Sequence, residues 1–297
     1  MNMTAWPAAR RPAALLAALV TALLLLLTMR PALAAAATET NTMALAVQRA
    51  RVRMQLRDWP RLTYPHLTVY YAPGLAQDAT IVAATAQQSS AQVFTDFGLP
   101  ADTPAVLVVV SAWQLAADTG TTGTVGDFYK GVIWLLAPSA FLPSGPGLQA
   151  RYAQVGPVVH ELTHLADDLA AGGLPPVWFD EGLAQYEDWR LTGYVWTPAG
   201  SGFGSGTYSW QQITSPGFYQ LPNLALGFRQ ALALTAAVCR TGPGVCTGIL
   251  HDVRSGMTMD AALRAAIGPT ALRALENGTA WRPGEAPQMG TVAGPRP

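Results

Sequence analysis

Five consecutive residues, His160-Glu161-Leu162-Thr163-His164, place two imidazoles and a carboxylate at a spacing that could bind and use a metal ion. On a helix, residues four apart lie one turn apart on the same face, with roughly 6 Å between their side-chain roots. Two imidazoles placed in this way can bind one zinc ion. Zinc lowers the pKa of a bound water toward about 7, and a neighbouring carboxylate can then accept the proton of that water. We therefore predict His160 and His164 as zinc ligands and Glu161 as a general base.

Catalytic zinc sites use three protein ligands and keep one position open, so a third ligand is expected. Glu181 is the leading candidate. The 17 residues from His164 to Glu181 can hold the end of one helix, a Gly-Gly-Leu-Pro-Pro turn and the start of an antiparallel helix. Asp180 and Glu187 are the alternative ligands. The non-functional explanation of Glu181 is an acid in the first turn of a helix that interacts with the helix dipole.

These two segments, His160 to His164 and Pro176 to Ala184, resemble the gluzincin zinc peptidases, and most closely the short bacterial peptidase MA-like family. In that clan the first zinc helix is followed by a glutamate on the next helix, often in a Trp-x-x-Glu-Gly setting, which Trp178 to Gly182 match. The resemblance covers about residues 65–276 and is specific around 155–190. It implies one zinc ion per chain held by His160, His164 and Glu181, with Glu161 as the base.

The same resemblance implies an α+β fold, in which a small mixed α/β N-terminal lobe precedes a helical lobe that carries the zinc helices. This is a minimal thermolysin-like catalytic domain. Two departures argue against aminopeptidase activity: the gap between ligands is two residues shorter than in the large aminopeptidases of the clan, and a Gly-x-Met-x-Asn segment is missing. The clan often stabilises the oxyanion with a downstream Tyr or His, for which Tyr208 and Tyr219 are the candidates. Asp167, Asp168 and Glu187 are candidate partners for the two imidazoles.

Composition excludes several other classes of protein. Of the 297 residues, 50% are hydrophobic and 12% are charged, which excludes a disordered chain. Eighteen basic residues balance eighteen acidic ones, so no net field favours nucleic acid as a partner. Two cysteines are too few for a disulfide-dense scaffold or for a four-cysteine zinc site.

The first 36 residues are typical of a secretory signal peptide. Arg10 and Arg11 precede an apolar run from Ala13 to Thr28, and Ala32-Leu33-Ala34 then supplies small residues for cleavage near Ala34. The alternative is a retained N-terminal anchor, and the rest of the sequence shows no run that could span a membrane. Export would allow a disulfide between Cys239 and Cys246 across a Gly-Pro-Gly turn, although two free thiols are the alternative.

The remaining sequence divides into an N-terminal helical or linker segment (37–64), a catalytic domain (65–281) and a disordered tail (282–297). Within the domain, the α/β lobe covers 65–147 and the helical lobe 148–281. Strands are predicted at 67–71, 105–111 and 131–137, with a loop at 118–127. Helices are predicted at 43–59, 76–97, 148–171 (with an alternative start near Pro157), 177–191, 221–239, 245–255, 258–267 and 270–276.

Taken together, these features predict an exported zinc metallohydrolase, specifically a metallopeptidase that acts on peptide or protein substrates. The strand near Ile133 would offer an edge to which an extended peptide could add. Two alternatives remain open. One is a catalytically idle zinc-containing binding or scaffold domain, and the other is a non-peptidase hydrolase that uses the same site.

Overall fold

A computed structural model describes residues 43–196, 206–242 and 244–278 of the chain. Its strands are β1 (Arg61–Thr63), β2 (Leu67–Tyr71), β3 (Ala105–Val110), β4 (Gly126–Tyr129) and β5 (Val132–Leu136). Helix α1 covers residues 43–55. The other helices are α2 (Ala76–Asp96), α3 (Ala112–Thr119), α4 (Leu148–Val155), α5 (Pro157–Ala171), α6 (Val177–Thr192), α7 (Trp210–Ile213), α8 (Leu224–Cys239), α9 (Val245–Arg254) and α10 (Met259–Glu276). The fold is therefore mixed α and β, as predicted.

The five strands form one sheet in the order β1-β2-β3-β5-β4. Strands β2, β3 and β5 are parallel, whereas β1 and β4 pair antiparallel with their neighbours and form the two edges. All six residues of β3 are buried, as expected of a parallel strand with helices on both faces. Ile133 lies in β5, between β3 and β4, so the prediction that its strand is the sheet edge is wrong.

Alternate residues of the central strands face two different layers of helix. One cluster joins Leu107, Ile133 and Leu135 to apolar residues of α2 and α5, which include Val82 and Leu162. A second cluster joins the intervening strand residues to Val52 of α1, to Leu56 just after α1 and to Leu115 of α3. The helix α5, which carries both predicted zinc histidines, therefore lies on one face of the sheet, and α1 and α3 lie on the other.

The loop predicted over 118–127 is wrong at both ends, because α3 extends to Thr119 and β4 begins at Gly126. Strand β4 pairs with β5 through a two-residue turn at Lys130 and Gly131, whose φ angles are 53° and 74°. Two positive φ angles are typical of the type I′ turn that matches the twist of a hairpin. The more common Asn-Gly or Asp-Gly signal for this turn is missing, which explains why the hairpin was not predicted.

The segment predicted as one helix over 148–171 is two helices, α4 and α5, separated by Gly156, and α5 begins at the alternative start predicted near Pro157. Gly156 has a φ of 73°, which favours glycine, and Pro157 occupies the first turn of α5. A side chain at Gly156 would also collide with the carboxylate of Asp188, whose Cγ lies 2.7 Å from the position of a Cβ. The glycine thus begins the helix that carries His160 and lets α6 approach it.

Of the C-terminal helices, α8 packs against α6, whereas α9 packs against α5. Cys239 at the end of α8 and Cys246 in α9 form a disulfide with Cα atoms 5.2 Å apart, which confirms the predicted pairing. Helix α10 is interrupted at Gly268, whose φ of 80° and ψ of 159° are not helical, so its two parts agree with the two helices predicted at 258–267 and 270–276. The predicted signal peptide (1–36) and C-terminal tail (282–297) lie outside the described residues. In the part of the chain that the structure describes, no helix has both the length and the apolar character needed to cross a membrane.

We predict that Gly182→Ala destabilises the fold, because α6 and α8 touch at this glycine. An added Cβ would collide with the hydroxyl of Thr235 and lie 2.8 Å from the carbonyl oxygen of Ala231. The free energy of unfolding should fall by about 1–3 kcal/mol, the usual range for overpacking. Chemical denaturation followed by circular dichroism would measure this change.

Gly248→Ala is the matched control, because Gly248 lies within α9 and an added Cβ would have no neighbour within 4 Å. This variant should be neutral or more stable by up to about 1 kcal/mol, since alanine favours helix more than glycine does. Equal stability of the two variants would contradict the close contact between α6 and α8.

Candidate metal centre

The three predicted ligands meet at the junction of α5 and α6. The Nε2 atom of His160 lies 3.4 Å from Oε2 of Glu181, and the Nε2 atom of His164 lies 3.8 Å from the same oxygen. One ligand atom from each of the three side chains lies within 4.8 Å of the other two. Residues that are 17 positions apart in sequence are therefore brought together by the turn between the two helices.

These distances fit a shared zinc ion better than direct contact. Tetrahedral zinc with ligands at about 2.1 Å separates the ligand atoms from one another by about 3.4 Å. Oε2 of Glu181 is buried and has no hydrogen-bond partner, which is costly for a carboxylate oxygen. A cation between this oxygen and the two imidazoles would satisfy it, so the residues present fit the predicted metal.

A carboxylate holds the other nitrogen of each imidazole. Nδ1 of His160 lies 3.3 Å from Oδ2 of Asp188, and Nδ1 of His164 lies 2.6 Å from Oδ1 of Asp180. Both carboxylates belong to α6 and both are buried. With Nδ1 of each ring engaged in this way, both Nε2 atoms face Glu181. Carboxylates in this position orient metal-binding histidines and increase their basicity.

His164, Asp167 and Asp180 form a second group whose polar atoms lie within 4.8 Å of one another. Asp180 already contacts Nδ1 of His164. Asp167 is fully buried, and burial together with the neighbouring Asp180 carboxylate raises the pKa of Asp167 well above its usual range. A carboxyl that keeps its proton is a poor metal ligand. We therefore interpret this group as an extension of the network that orients His164.

The charges at the centre perturb the pKa values of both imidazoles. Burial would lower the pKa of His160, but the neighbouring carboxylates of Asp188 and Glu181 raise it well above its usual value. Burial also opposes protonation of His164, and Asp180 outweighs it, raising the pKa of His164 to about 9. Without a metal, both rings therefore bind protons near neutral pH. These protons balance the negative charge of the surrounding carboxylates, which a bound cation would otherwise balance.

Glu161 lies beside the ligands and against strand β4. An added Cβ at Gly126 would lie 2.5 Å from Oε1 of Glu161, so the carboxylate rests directly on the backbone of the edge strand. Its other oxygen, Oε2, is buried without a hydrogen-bond partner. Burial raises the pKa of Glu161 to about 7, against the opposing effect of the two imidazoles. A carboxyl with this pKa can exchange a proton near neutral pH.

The structure distinguishes the two tyrosine candidates. The hydroxyl of Tyr219 donates to Oε1 of Glu181 at 2.5 Å, and its side chain is 55% exposed. The hydroxyl of Tyr208 instead accepts from the backbone N–H of Asn223 at 2.8 Å and holds the segment before α8. Tyr219 thus borders the centre on a side that solvent reaches, whereas Tyr208 has a structural contact.

The remaining acidic candidates lie elsewhere. Glu187, the alternative ligand, accepts from Nη2 of Arg190 at 2.6 Å, and the same arginine also contacts Asp96. Asp188, which contacts His160, was not predicted. It follows Glu181 by seven residues and so lies on the same face of α6 two turns later. The seven-residue spacing indicates that Asp188 and Glu181 share a face of α6. To predict the contact of Asp188 with His160, the relative placement of α5 and α6 must also be known.

Comparison of the chain with protein-family models gives no match, and comparison with curated protein sequences gives none either. The functional assignment therefore depends on the geometry of the centre and on the residues that form it.

We predict that Asp188→Asn and Asp180→Asn weaken zinc binding by about 10–100-fold each, because each carboxylate orients one ligand and increases its basicity. Competition with a chromophoric chelator would measure the affinity. His251→Ala is the matched control, since His251 is exposed on α9 and should leave zinc binding unchanged. Unchanged affinity in both asparagine variants would show that the imidazoles are positioned without them.

Zinc affinity should rise with pH between about 6 and 9. The raised pKa values of His160 and His164 mean that the metal-free chain holds protons on these rings, and zinc must displace them. The affinity rises with pH because fewer protons compete with zinc for the rings as the pH approaches the pKa of about 9 for His164. Calorimetry in buffers of different ionisation enthalpy would count the released protons. A flat affinity with no proton release would contradict these pKa shifts.

Proposed function

We propose that this protein is a zinc-dependent peptide-bond hydrolase of the gluzincin type. The observation that carries the proposal is the convergence of His160, His164 and Glu181 on one point, with the carboxylate of Glu161 next to them. A site that served only to stabilise the fold would not need a fourth acidic group beside the ligands. Such a group with an unsatisfied buried oxygen lowers stability, so a chemical role is the better explanation.

The residues of the centre have distinct roles in this proposal. A zinc ion, when bound, supplies a Lewis acid that polarises a carbonyl oxygen and makes water more acidic. Glu161 takes the proton from the attacking water and then delivers it to the leaving amine, which a pKa of about 7 permits in both directions. Tyr219 keeps its proton, because desolvation of its hydroxyl and the neighbouring Glu181 raise its pKa, and it can donate to the developing oxyanion.

The position of β4 favours a peptide as the substrate. This four-residue strand is an edge of the sheet, and at Gly126 its backbone touches Glu161. An extended peptide added to this edge would place its own backbone carbonyls beside the base. The edge predicted at β5 is thus replaced by β4, one strand further out and closer to the general base.

Export fits the same proposal. The sequence begins with the features of a signal peptide, and Cys239 and Cys246 are joined in a disulfide. Disulfides persist in oxidising compartments outside the cytosol. We propose that the chain acts there, on peptides or proteins.

Glu161→Gln should lower the rate of peptide hydrolysis by about 10²–10⁴-fold, because glutamine cannot accept the proton. Zinc content should stay at one ion per chain, since Glu161 is not a ligand in this proposal. The assay would use a library of quenched fluorescent peptides with elemental analysis of the same samples. Removal of zinc by a chelator should abolish the wild-type activity, and added zinc should restore it.

Glu276→Gln is the matched control, because Glu276 lies at the end of α10, outside the centre. It should retain both activity and zinc. Full activity of Glu161→Gln with zinc bound would rule out Glu161 as the base. Zinc binding without hydrolysis of any peptide would favour the idle-site alternative or a different ester or amide substrate.

A further inference from the structure

Helix α1 is apolar on two opposite sides. Leu45, Val52 and Leu56 are buried, the last two against the sheet. Met43, Val47 and Met54 are 69%, 46% and 72% exposed. At about 100° per residue, these three fall within about 40° of one another and lie roughly opposite the buried three. A surface helix with one apolar side needs no further partner, whereas a second apolar side requires an explanation.

Helix α3 lies over the same face of the sheet and adds a tryptophan. Leu115 of α3 belongs to the same cluster as Val52 of α1 and Leu56, the residue that follows α1. Trp113 is 72% exposed, and two residues along a helix place it about 200° from Leu115. Trp113 therefore points away from the sheet, as do the exposed residues of α1. We refer to Met43, Val47, Met54 and Trp113 as the outer apolar surface.

Arginines surround this surface. Arg51 and Arg53 lie on opposite sides of the exposed stripe of α1, about 60° and about 100° from its middle, and Arg57 follows the helix. Asp58 pairs with Arg57 at 3.2 Å, and Asp118 lies in α3. Residues 43–61 hold five arginines and one acidic residue, whereas residues 62–297 hold ten basic and sixteen acidic residues. The positive charge of the chain is thus concentrated where the exposed apolar residues lie.

We propose that the outer apolar surface docks on a lipid bilayer that contains anionic headgroups. Methionine, valine and tryptophan side chains flanked by arginines are the composition of helices that lie in the membrane interface. Arginine contributes about 1 kcal/mol per residue near an anionic surface. The apolar run from Ala13 to Thr28 precedes α1 by only fourteen residues, which would keep α1 near a membrane during export or permanently.

The position of the metal centre agrees with this orientation. Helix α5 carries His160 and His164 on the face of the sheet opposite α1 and α3. A domain resting on its outer apolar surface would keep the centre turned away from the bilayer. This surface and the centre are separate, so membrane docking and hydrolysis can each succeed or fail alone.

The test uses the full chain as the producing cell exports it, and compares it with the Met43→Gln/Val47→Gln/Met54→Gln variant. Co-sedimentation with vesicles of phosphatidylcholine alone, or with about one third phosphatidylglycerol, measures binding. We expect anionic vesicles to bind the wild type at least tenfold more tightly than neutral ones, and the triple variant to lose about tenfold. Salt raised from about 0.1 M to about 1 M should weaken binding, because the Debye length falls from about 10 Å to 3 Å.

Leu174→Gln/Met257→Gln is the matched control, since both side chains are exposed and lie outside α1 and α3, at 54% and 45% exposure. This control should bind like the wild type. Circular dichroism and zinc content would show that each variant folds, and Arg51→Gln/Arg53→Gln, which changes only exposed residues, provides a second test. If the leader has been removed, equal binding of the wild type and both α1 variants would overturn the proposal.

If the N-terminal apolar segment is retained as an anchor, it would bind every variant to vesicles equally. A second measurement, of tryptophan quenching, tests the proposal in that case. Quenching by brominated lipid, taken as the difference between wild type and Trp113→Phe, reports whether Trp113 enters the bilayer. A difference supports the proposal, and no difference overturns it. Sedimentation velocity would identify the other occupant: a wild-type dimer that the triple variant converts to monomers would assign the surface to a second copy of the chain.

Discussion

The centre depends on one constraint, which is that each imidazole is held at both nitrogens by groups of opposite charge. Asp188 and Asp180 contact the Nδ1 atoms, and Glu181 faces both Nε2 atoms. All three carboxylates belong to α6, and both imidazoles to α5. The distance and the rotation of these two helices relative to each other therefore decide whether the three ligand atoms can share an ion.

Three glycines allow these approaches, each for a separate steric reason. Gly156 lets the carboxylate of Asp188 reach the start of α5, and Gly126 lets Glu161 rest on strand β4. Gly182 lets α8 press against α6 from the far side. A Cβ at any of the three would meet an atom of the centre or of its support. The geometry of the site therefore depends partly on glycines, whose lack of a side chain leaves room for neighbouring groups. A search for chemically active residues does not find these positions.

Local spacing made part of the molecule predictable. The prediction of the three ligands needs only the geometry of consecutive helices, because two are histidines four residues apart and the third is a glutamate one helical turn past a Gly-Gly-Leu-Pro-Pro turn. Asp188 was not predicted, because its contact with His160 requires the angle between α5 and α6. The β4 strand was missed because a four-residue Gly-Asp-Phe-Tyr edge has no run of β-branched residues, and its hairpin turns through Lys130. Strand β3, which is rich in valine, could be predicted from its composition alone.

The balance of buried charge explains why a dication suits this centre. Two imidazoles share their surroundings with the carboxyl groups of Glu161, Glu181, Asp180 and Asp188, all of them buried. Isolated ionised carboxylates in such surroundings are strongly unfavourable, so the metal-free chain compensates with protons. The raised pKa values of His160 and His164 indicate that both imidazoles hold these protons. The pKa of Glu161 is raised to about 7, so its carboxyl is partly protonated near neutral pH. A dication at the point that His160, His164 and Glu181 face would supply two positive charges there. In the proposed function, Glu161 would then be able to exchange its proton with water.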